Sequence, residues 1–326
     1  MGEFELIRRY FQRNLPLPAP VLLGVGDDCA LLRPTPGWQL AVSSDMLVQG
    51  RHFFADVDAR TLGHKALAVN LSDLAAMGAR PLGFTLALAL PQVDEAWLHG
   101  FAQGLFALAD AHACPLVGGD TTAGPLNICI TVFGELPPGT ALCRHAARPG
   151  DDLYLSGCTG EARLALELLQ GTPWACQHSP PGTLQAVRPR LEQPSPRLAL
   201  GQALAGVARA AIDLSDGLAG DLGHILHASG VGAELVQASL PVAPALQALP
   251  EAQRLLCLLH GGDDYELLFT ADPAQRAAVA AAAQHSGTPV QRIGQLRAAP
   301  GLWLRQLNGQ TVALHAQGFD HFAPGT

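Results

Sequence analysis

Between Gly63 and Pro81 the chain reads GHKALAVNLSDLAAMGARP, and its apolar positions return every three or four residues. Ala66, Leu67, Leu71, Leu74 and Gly78 mark a packing face, so this stretch predicts one buried helix. Asn70, Asp73 and Met77 fall on another side of the same cylinder. An amide and a carboxylate on an otherwise apolar helix need partners, because an unpaired carboxylate taken out of water is costly. Two readings stay open for Asp73: it caps a neighbouring turn or pairs with an arginine, or it serves a polar site.

The same patterning divides the rest of the chain. Phe4, Ile7 and Phe11 share a face of a short helix over Glu3–Gln12, which Pro16–Pro20 ends. A glycine turn, Gly24-Val25-Gly26, leads through Asp27 and Asp28 into a strand. Leu40-Ala41-Val42 reads as a strand that runs into Ser43-Ser44-Asp45. Leu82–Leu90 reads as a buried strand, and Asp94 caps a helix reaching about His112. Leu116-Val117 is a strand ending in Gly118-Gly119-Asp120, and Asn127–Gly134 alternates beside it. A composition break at Arg144–Gly150 places a domain boundary near residue 145. Beyond it, Asp152–Leu155 is a strand followed by the turn Ser156–Gly160 and a helix to Leu169. Gly171–Pro196 reads as a long proline-containing connection. A helix over Pro196–Val207 leads to the strand Ala211–Leu214, which ends in Ser215-Asp216-Gly217. Gly261-Gly262-Asp263-Asp264-Tyr265-Glu266 opens a strand at Leu267–Thr270. Both halves mix strands and helices, so the fold class is α/β or α+β in two domains, 1–145 and 146–326.

Length agrees, since 326 residues are too many for one compact core. The net charge of −8 excludes a general binder of nucleic acid or anionic membranes. No apolar stretch is long enough to span a bilayer, and the N-terminal MGEFELIRRYF mixes acids and bases unlike a signal peptide, so a cytoplasmic protein is expected. The seven cysteines are scattered, with no C-x-x-C pair to suggest zinc or a disulfide framework.

What changes the picture is a repeated pairing of strand and acid. Asp45 follows Val42, Asp120 follows Val117, Asp213 and Asp216 flank Leu214, and Asp27 and Asp28 precede a strand. Turn chemistry alone favours Asp beside Gly, and at any single position that suffices. Six such positions point further, to acids gathered at a sheet edge. Two carboxylates ~4 Å apart repel by roughly 4 kcal/mol at an effective dielectric of 20, so a cluster needs cations. Lys65 is the only lysine, which leaves hard divalent metal as the natural partner. Oxygen ligands favour Mg²⁺ accompanied by phosphate oxygens, with a structural Ca²⁺ as the alternative for the acids alone. The standard phosphate motifs are absent: no Gly-Lys-Ser/Thr loop, no protein-kinase set, no third glycine after Gly24 and Gly26. Metals, glycine-loop amides and arginines such as Arg144 are then left to neutralise phosphate.

Taken together, GVGDDCALL, SSDMLVQGRHF, HKALAVNLSDLAAMGARP, GGDTTAGPL, AIDLSDGLAGDLGHI and GGDDYELLFT resemble the bacterial thiamine-monophosphate kinases, from the first helix to the closing GFDHF. The resemblance implies ATP-dependent phosphorylation of thiamine monophosphate to thiamine diphosphate. It implies a homodimer of the aminoimidazole-ribonucleotide-synthetase type, with an N-terminal ATP-binding domain and a C-terminal α/β domain. By position it implies magnesium-linked roles, several ions per site, for Asp28, Ser43, Ser44, Asp45, Asp73, Asp120, Asp213 and Asp216. Nucleotide contacts are implied for Gly119, Asp120, Arg144 and Ser215, and contacts near the thiamine phosphate for His52, Asp263 and Phe319. No general base is expected. Asp263 departs from the family, which usually has Glu there. Selenophosphate synthetase, of the same broad superfamily, is disfavoured because nothing before Cys29 supplies its reactive Cys and Lys. Aminoimidazole-ribonucleotide synthetase has different motifs. A nucleotide-binding scaffold without turnover is the alternative of another class.

Overall fold

The computed structural model describes residues 2–13 and 19–316. The chain divides into two compact units: one runs to Gly139 apart from Ala75–Gly78, and the other takes Ala75–Gly78 and the chain from Thr140 onward.

The first unit contains α1 (Glu3–Tyr10), β1 (Val21–Leu23), β2 (Leu31–Leu32), β3 (Gln39–Val48), α2 (Ala59–Met77), β4 (Arg80–Leu90), α3 (Glu95–Ala111), β5 (Leu116–Ala123) and β6 (Asn127–Leu136). β1 and β2 form a small ladder, and the other strands form a sheet in the order β3-β6-β4-β5. β6 runs antiparallel to both neighbours, whereas β4 and β5 are parallel. The predicted helix is α2, and its packing face is as read: Ala66, Leu67, Leu71 and Leu74 are all within 1% of complete burial. It starts four residues earlier than the apolar period suggests, because Asp58 caps it. The Asp58 carboxylate accepts from the amides of Arg60 and Thr61 at 2.9 and 3.1 Å. It also stops earlier: Gly78 is left-handed, and Arg80 and Pro81 already belong to β4. α2 and α3 cross closely enough that a Cβ on Gly104 would lie 1.8 Å from the Arg60 carbonyl oxygen, and one on Gly63 would lie 2.0 Å from that of Phe101.

The second unit contains β7 (Asp152–Ser156), α4 (Glu161–Leu169), α5 (Pro173–His178), α6 (Thr183–Glu192), α7 (Leu198–Ala203), β8 (Ala210–Asp213), α8 (Leu218–Ser229), β9 (Gly232–Val236), α9 (Glu251–His260), β10 (Leu267–Ala271), α10 (Arg276–Ser286), β11 (Val290–Arg297), β12 (Gly301–Arg305) and β13 (Thr311–Ala313). Its sheet has the order β13-β12-β9-β11-β7-β10-β8, antiparallel except between β12 and β9. One core joins alternate strand residues such as Leu153, Leu155, Ile212 and Leu268 to Leu164, Leu222 and Ile225 of the helices. The expected connection over Gly171–Pro196 instead holds two helices. Pro173 opens α5, where a missing amide costs nothing, and Pro189 lies inside α6 near its end. Among the described residues no helix is long and apolar enough to cross a membrane.

Candidate active site

In the first unit the polar face of α2 meets β3. The Ser43 hydroxyl donates to the Asp73 carboxylate. The Asp45 amide donates to Asn70 Oδ1 at 3.1 Å, and Asn70 Nδ2 donates to the Ala66 carbonyl at 3.0 Å. Asn70 and Asp73 thus share a helix face because they are three residues apart, and that face is given to Ser43 and Asp45, which are two apart on a strand. The helix keeps an almost fully buried amide because both ends of that amide are bonded.

Asp45 and Asp120 do not stand beyond their strands, as the sequence suggests. Ser43, Ser44 and Asp45 lie inside β3, paired with Val132, Thr131 and Ile130 of β6. Asp120 lies inside β5, paired with Ala87. Register therefore puts Asp45 in a row with Ile130, Leu86 and Gly119, and Asp120 in the next row with Met46, Cys129 and Ala87. Successive rows of a pleated sheet face opposite ways, which keeps these two acids on different faces. Ser44 likewise faces away from Ser43, donating to the Ile130 carbonyl at 3.1 Å beside the Thr131 hydroxyl at 3.0 Å. Among the described residues no three His, Cys, Asp or Glu side chains are grouped to hold a metal ion.

Gly119 fixes the backbone beside Asp120. Its φ is +148°, and a Cβ there would lie 1.9 Å from the Leu86 carbonyl oxygen, so no other residue fits. Gly119 and Asp120 line an open groove with Ile7 and Phe11 of α1, Val25 and Leu86. Asp28 is exposed on the neighbouring β1–β2 turn, its amide bonded to the Asp27 carboxylate at 2.8 Å. His52, half-buried after β3, accepts the Val48 amide on Nδ1 at 2.9 Å, and Lys65 Nζ donates to its carbonyl at 3.3 Å.

In the second unit Asp213 ends β8, and the chain turns through Ser215-Asp216-Gly217 into α8. The Gly261–Tyr265 loop is bonded to this turn: Asp263 N–H to the Ser215 carbonyl at 2.9 Å, Tyr265 N–H to the Leu214 carbonyl at 2.8 Å. Asp213, Ser215, Asp216 and Asp263 thus belong to one backbone platform. Asp221, in the first turn of α8, holds the turn from inside. Its Oδ2 accepts from the amides of Asp216 and Gly217 at 3.0 and 3.1 Å. Burial pushes its carboxyl up to about 7, with the Asp216 charge adding to the rise and the two amides and the Arg144 charge opposing it. Arg144 itself is exposed on a short 3₁₀ turn, its carbonyl accepting from Ser229 Oγ at 2.7 Å. Replacing Asp221 with Ala should cost about 1–3 kcal/mol, because two turn amides lose their acceptor. Asp221→Asn keeps an acceptor oxygen and removes a poorly solvated charge, so it should lose less than Asp221→Ala. Urea denaturation of both variants checks the pair.

Two further acids of the same loop carry a frame that sequence reading misses. Glu266 is fully buried and accepts from Arg190 at 2.8 Å, from Arg197 at 2.7 and 2.5 Å, and from Ser156 Oγ at 2.5 Å. Asp264, also buried, accepts the Gly160 amide at 2.8 Å, and burial raises its carboxyl well above the usual range. The Gly-rich turn Ser156–Gly160 is therefore occupied by the protein's own carboxyls. Asp263 and Tyr265 are left-handed, with φ of +62° and +49°. Such backbone costs roughly 1–2 kcal/mol per residue and persists only where its surroundings enforce it. Phe319 lies outside the described residues.

Comparison with known proteins follows this division. The family model for AIR synthase related protein, N-terminal domain, matches residues 26–136, and that for the C-terminal domain matches 148–305. A curated thiamine-monophosphate kinase of Escherichia coli O157:H7 is 47% identical over 325 residues, covering 99% of this chain and 98% of its own length. The crystal structure of thiamine-monophosphate kinase from Stenotrophomonas maltophilia K279a superposes with a TM-score of 0.82 at 44% identity, over 92% of this chain and 94% of that one. AaThiL complexed with AMPPCP and TMP gives a TM-score of 0.76 at 26% identity, over 98% and 96%. With both domains matched in order and nearly half its residues shared with a full-length relative, the chain belongs to the thiamine-monophosphate kinase family.

Proposed function

We propose that this kinase transfers the terminal phosphoryl group of ATP directly to the phosphate of thiamine monophosphate, giving thiamine diphosphate as the last step of its synthesis, with several magnesium ions and in the cytoplasm. The observation that carries the reading is full-length identity of 47% to a thiamine-monophosphate kinase. A neighbour of the same fold complexed with AMPPCP and TMP supports both ligands.

The donor set fits magnesium in kind: Asp28, Ser43, Ser44, Asp45, Asp73, Asp120, Asp213 and Asp216 offer oxygen only, the preference of a hard cation. Ser43, Asp45 and Asp73 are the strongest part of the set, since β3 and α2 already bring them together. Ser44 is the weakest, its hydroxyl being bonded to β6. Bound cations would supply charge neutralisation between two phosphates that repel. Gly119 and Asp120 in the groove, with Arg144 and Ser215, take the nucleotide. His52 and Asp263 take the acceptor, and Phe319 joins them on the resemblance alone.

No general base is needed. The acceptor is a phosphate monoester with a second pKa of about 6, so at pH 7 it is mostly a dianion with no proton to lose. His52 is arranged accordingly: its Nδ1 lone pair is used by the Val48 amide, so in the neutral ring the proton sits on Nε2, as a donor toward an anion. His52→Ala should raise KM for thiamine monophosphate with kcat modestly reduced, and the rate should fall below about pH 6 as the acceptor protonates. A loss of about 10³ in kcat with KM unchanged would overturn direct attack by the dianion. Thiamine-monophosphate-dependent ATP consumption, with thiamine and formylglycinamidine ribonucleotide as controls, tests the activity itself. A scaffold without turnover would consume no ATP with any of them.

The assembly proposed is a homodimer. Leu40, Val42 and Met46 of the edge strand β3 are more than half exposed, in register with Glu135, Phe133 and Cys129 of β6. An apolar sheet face at an edge calls for cover, and a second copy paired about a two-fold axis supplies it. A monomer at micromolar concentration by sedimentation would contradict the pairing.

A further inference from the structure

We propose that Tyr265 is a positioning residue of the acceptor site, acting through Asp263 to set the plane of a carboxylate that receives the ring portion of the substrate. The inference rests on the reading of Asp263 as an acceptor-site residue.

Three non-glycine residues among those described have positive φ, and two of them, Asp263 and Tyr265, flank a single residue. This double left-handed turn brings side chains i and i+2 to the same side, and the Tyr265 hydroxyl donates to Asp263 Oδ1 at 3.1 Å. The geometry is held from several directions. The amides of Asp263 and Tyr265 are bonded to the carbonyls of Ser215 and Leu214. Asp264, between them, is tied to the Gly160 amide, and Glu266 after them is gripped by Arg190 and Arg197. Tyr265 is 8% exposed, so packing holds its side chain in place. Asp263 itself is half-buried.

A carboxylate repels a phosphate, so Asp263 is suited to the other end of the acceptor, where an amino group or a cationic ring can face it. With one methylene fewer than Glu, its reach is fixed by the backbone, and the remaining freedom is rotation of the carboxylate plane. A hydroxyl bonded to Oδ1 removes that rotation and thereby directs Oδ2. Specificity for a substrate N–H then depends on a residue that need not touch it.

The test is steady-state kinetics on the full chain for Tyr265→Phe, Asp263→Asn and the double variant, each with ATP and thiamine monophosphate varied separately, beside urea melts. Tyr265→Phe removes one oxygen and should raise KM for thiamine monophosphate about five- to tenfold, the scale of one hydrogen bond. KM for ATP should stay within about twofold and the melting midpoint should barely move, which a merely structural tyrosine would not allow. The double variant should be no worse than Asp263→Asn, because the tyrosine acts through that carboxylate. An unchanged KM for thiamine monophosphate in Tyr265→Phe, equal rises for both substrates, or multiplying effects in the double variant would each overturn the inference. If Tyr265→Phe is silent while Asp263→Asn raises that KM, only the tyrosine's role fails. If Asp263→Asn leaves it unchanged, the acceptor reading of Asp263 falls with it.

Discussion

Asp73→Asn should cut magnesium-dependent formation of thiamine diphosphate by about 10²–10³-fold while leaving the fold intact. The two halves of that outcome come from one geometry. Asp73 is half-buried on α2 and accepts the Ser43 hydroxyl. An asparagine has the same outline and keeps an oxygen for that hydroxyl, so the α2–β3 contact survives. What it loses is the formal charge. Ser43 and Asn70 beside it are neutral, so Asp73 and Asp45 together carry the local attraction for a cation, and the substitution removes one of those two charges. Losing a pre-organised electrostatic partner of a phosphoryl-transfer step costs about 10²–10³ in kcat, by analogy with the removal of a single transition-state donor. Raising the Mg²⁺ concentration should recover part of the activity. Thiamine diphosphate production across a Mg²⁺ titration, beside a circular-dichroism melt, reads both halves. Near-normal turnover at ordinary Mg²⁺ with Asp73→Asn would remove Asp73 from the proposed ligand set.

How much of this was legible in the sequence depends on how local the cause is. The packing face of α2 and the Asp94 cap of α3 were readable because both are set within one or two turns. Asp94 indeed accepts from the amides of Ala96 and Trp97. The start of α2 was misplaced because Arg60 and Thr61 break the apolar period, although Asp58 ahead of them carried a capping signal. β3 was cut short for a similar reason: polar Ser-Ser-Asp reads as the end of the strand, yet as an edge strand it stays paired with β6 through Val48. The same error moved Asp45 and Asp120 from inside strands to their ends, where period-two alternation would not have separated them. α5 and α6 were hidden by prolines whose positions inside a helix only the structure reveals. The frame behind Asp263 was beyond reach. Arg190 and Arg197 meet Glu266 across 76 and 69 residues, and nothing local marks them as its partners.

That frame yields the largest expected loss of stability. Glu266 is fully buried, and its carboxylate is the common acceptor for Arg190, Arg197 and Ser156. The side chains of Arg190 and Arg197 keep only 24% and 20% of their exposure, so water does little to solvate them in place of the carboxylate. Removing one partner of a buried ion pair costs about 3–5 kcal/mol, chiefly because the other charge is left unpaired. The residual exposure of both arginines places Glu266→Ala toward the lower end of that range. Even so, it is a large share of the roughly 5–15 kcal/mol that holds a typical domain folded. Glu266→Gln should lose less, since an amide oxygen can still accept from one guanidinium. The sign of the mechanism is tested by relief: adding Arg197→Met to Glu266→Ala removes one orphaned charge and fills space with a flexible apolar chain, so the double variant should regain part of the loss. Urea midpoints for the second unit's transition, followed in the full chain, measure all three. If Glu266→Ala melts within about 0.5 kcal/mol of the parent, or if the added Arg197→Met deepens the loss, then the arginines are solvated well enough alone and the loop owes its left-handed turn to its backbone bonds.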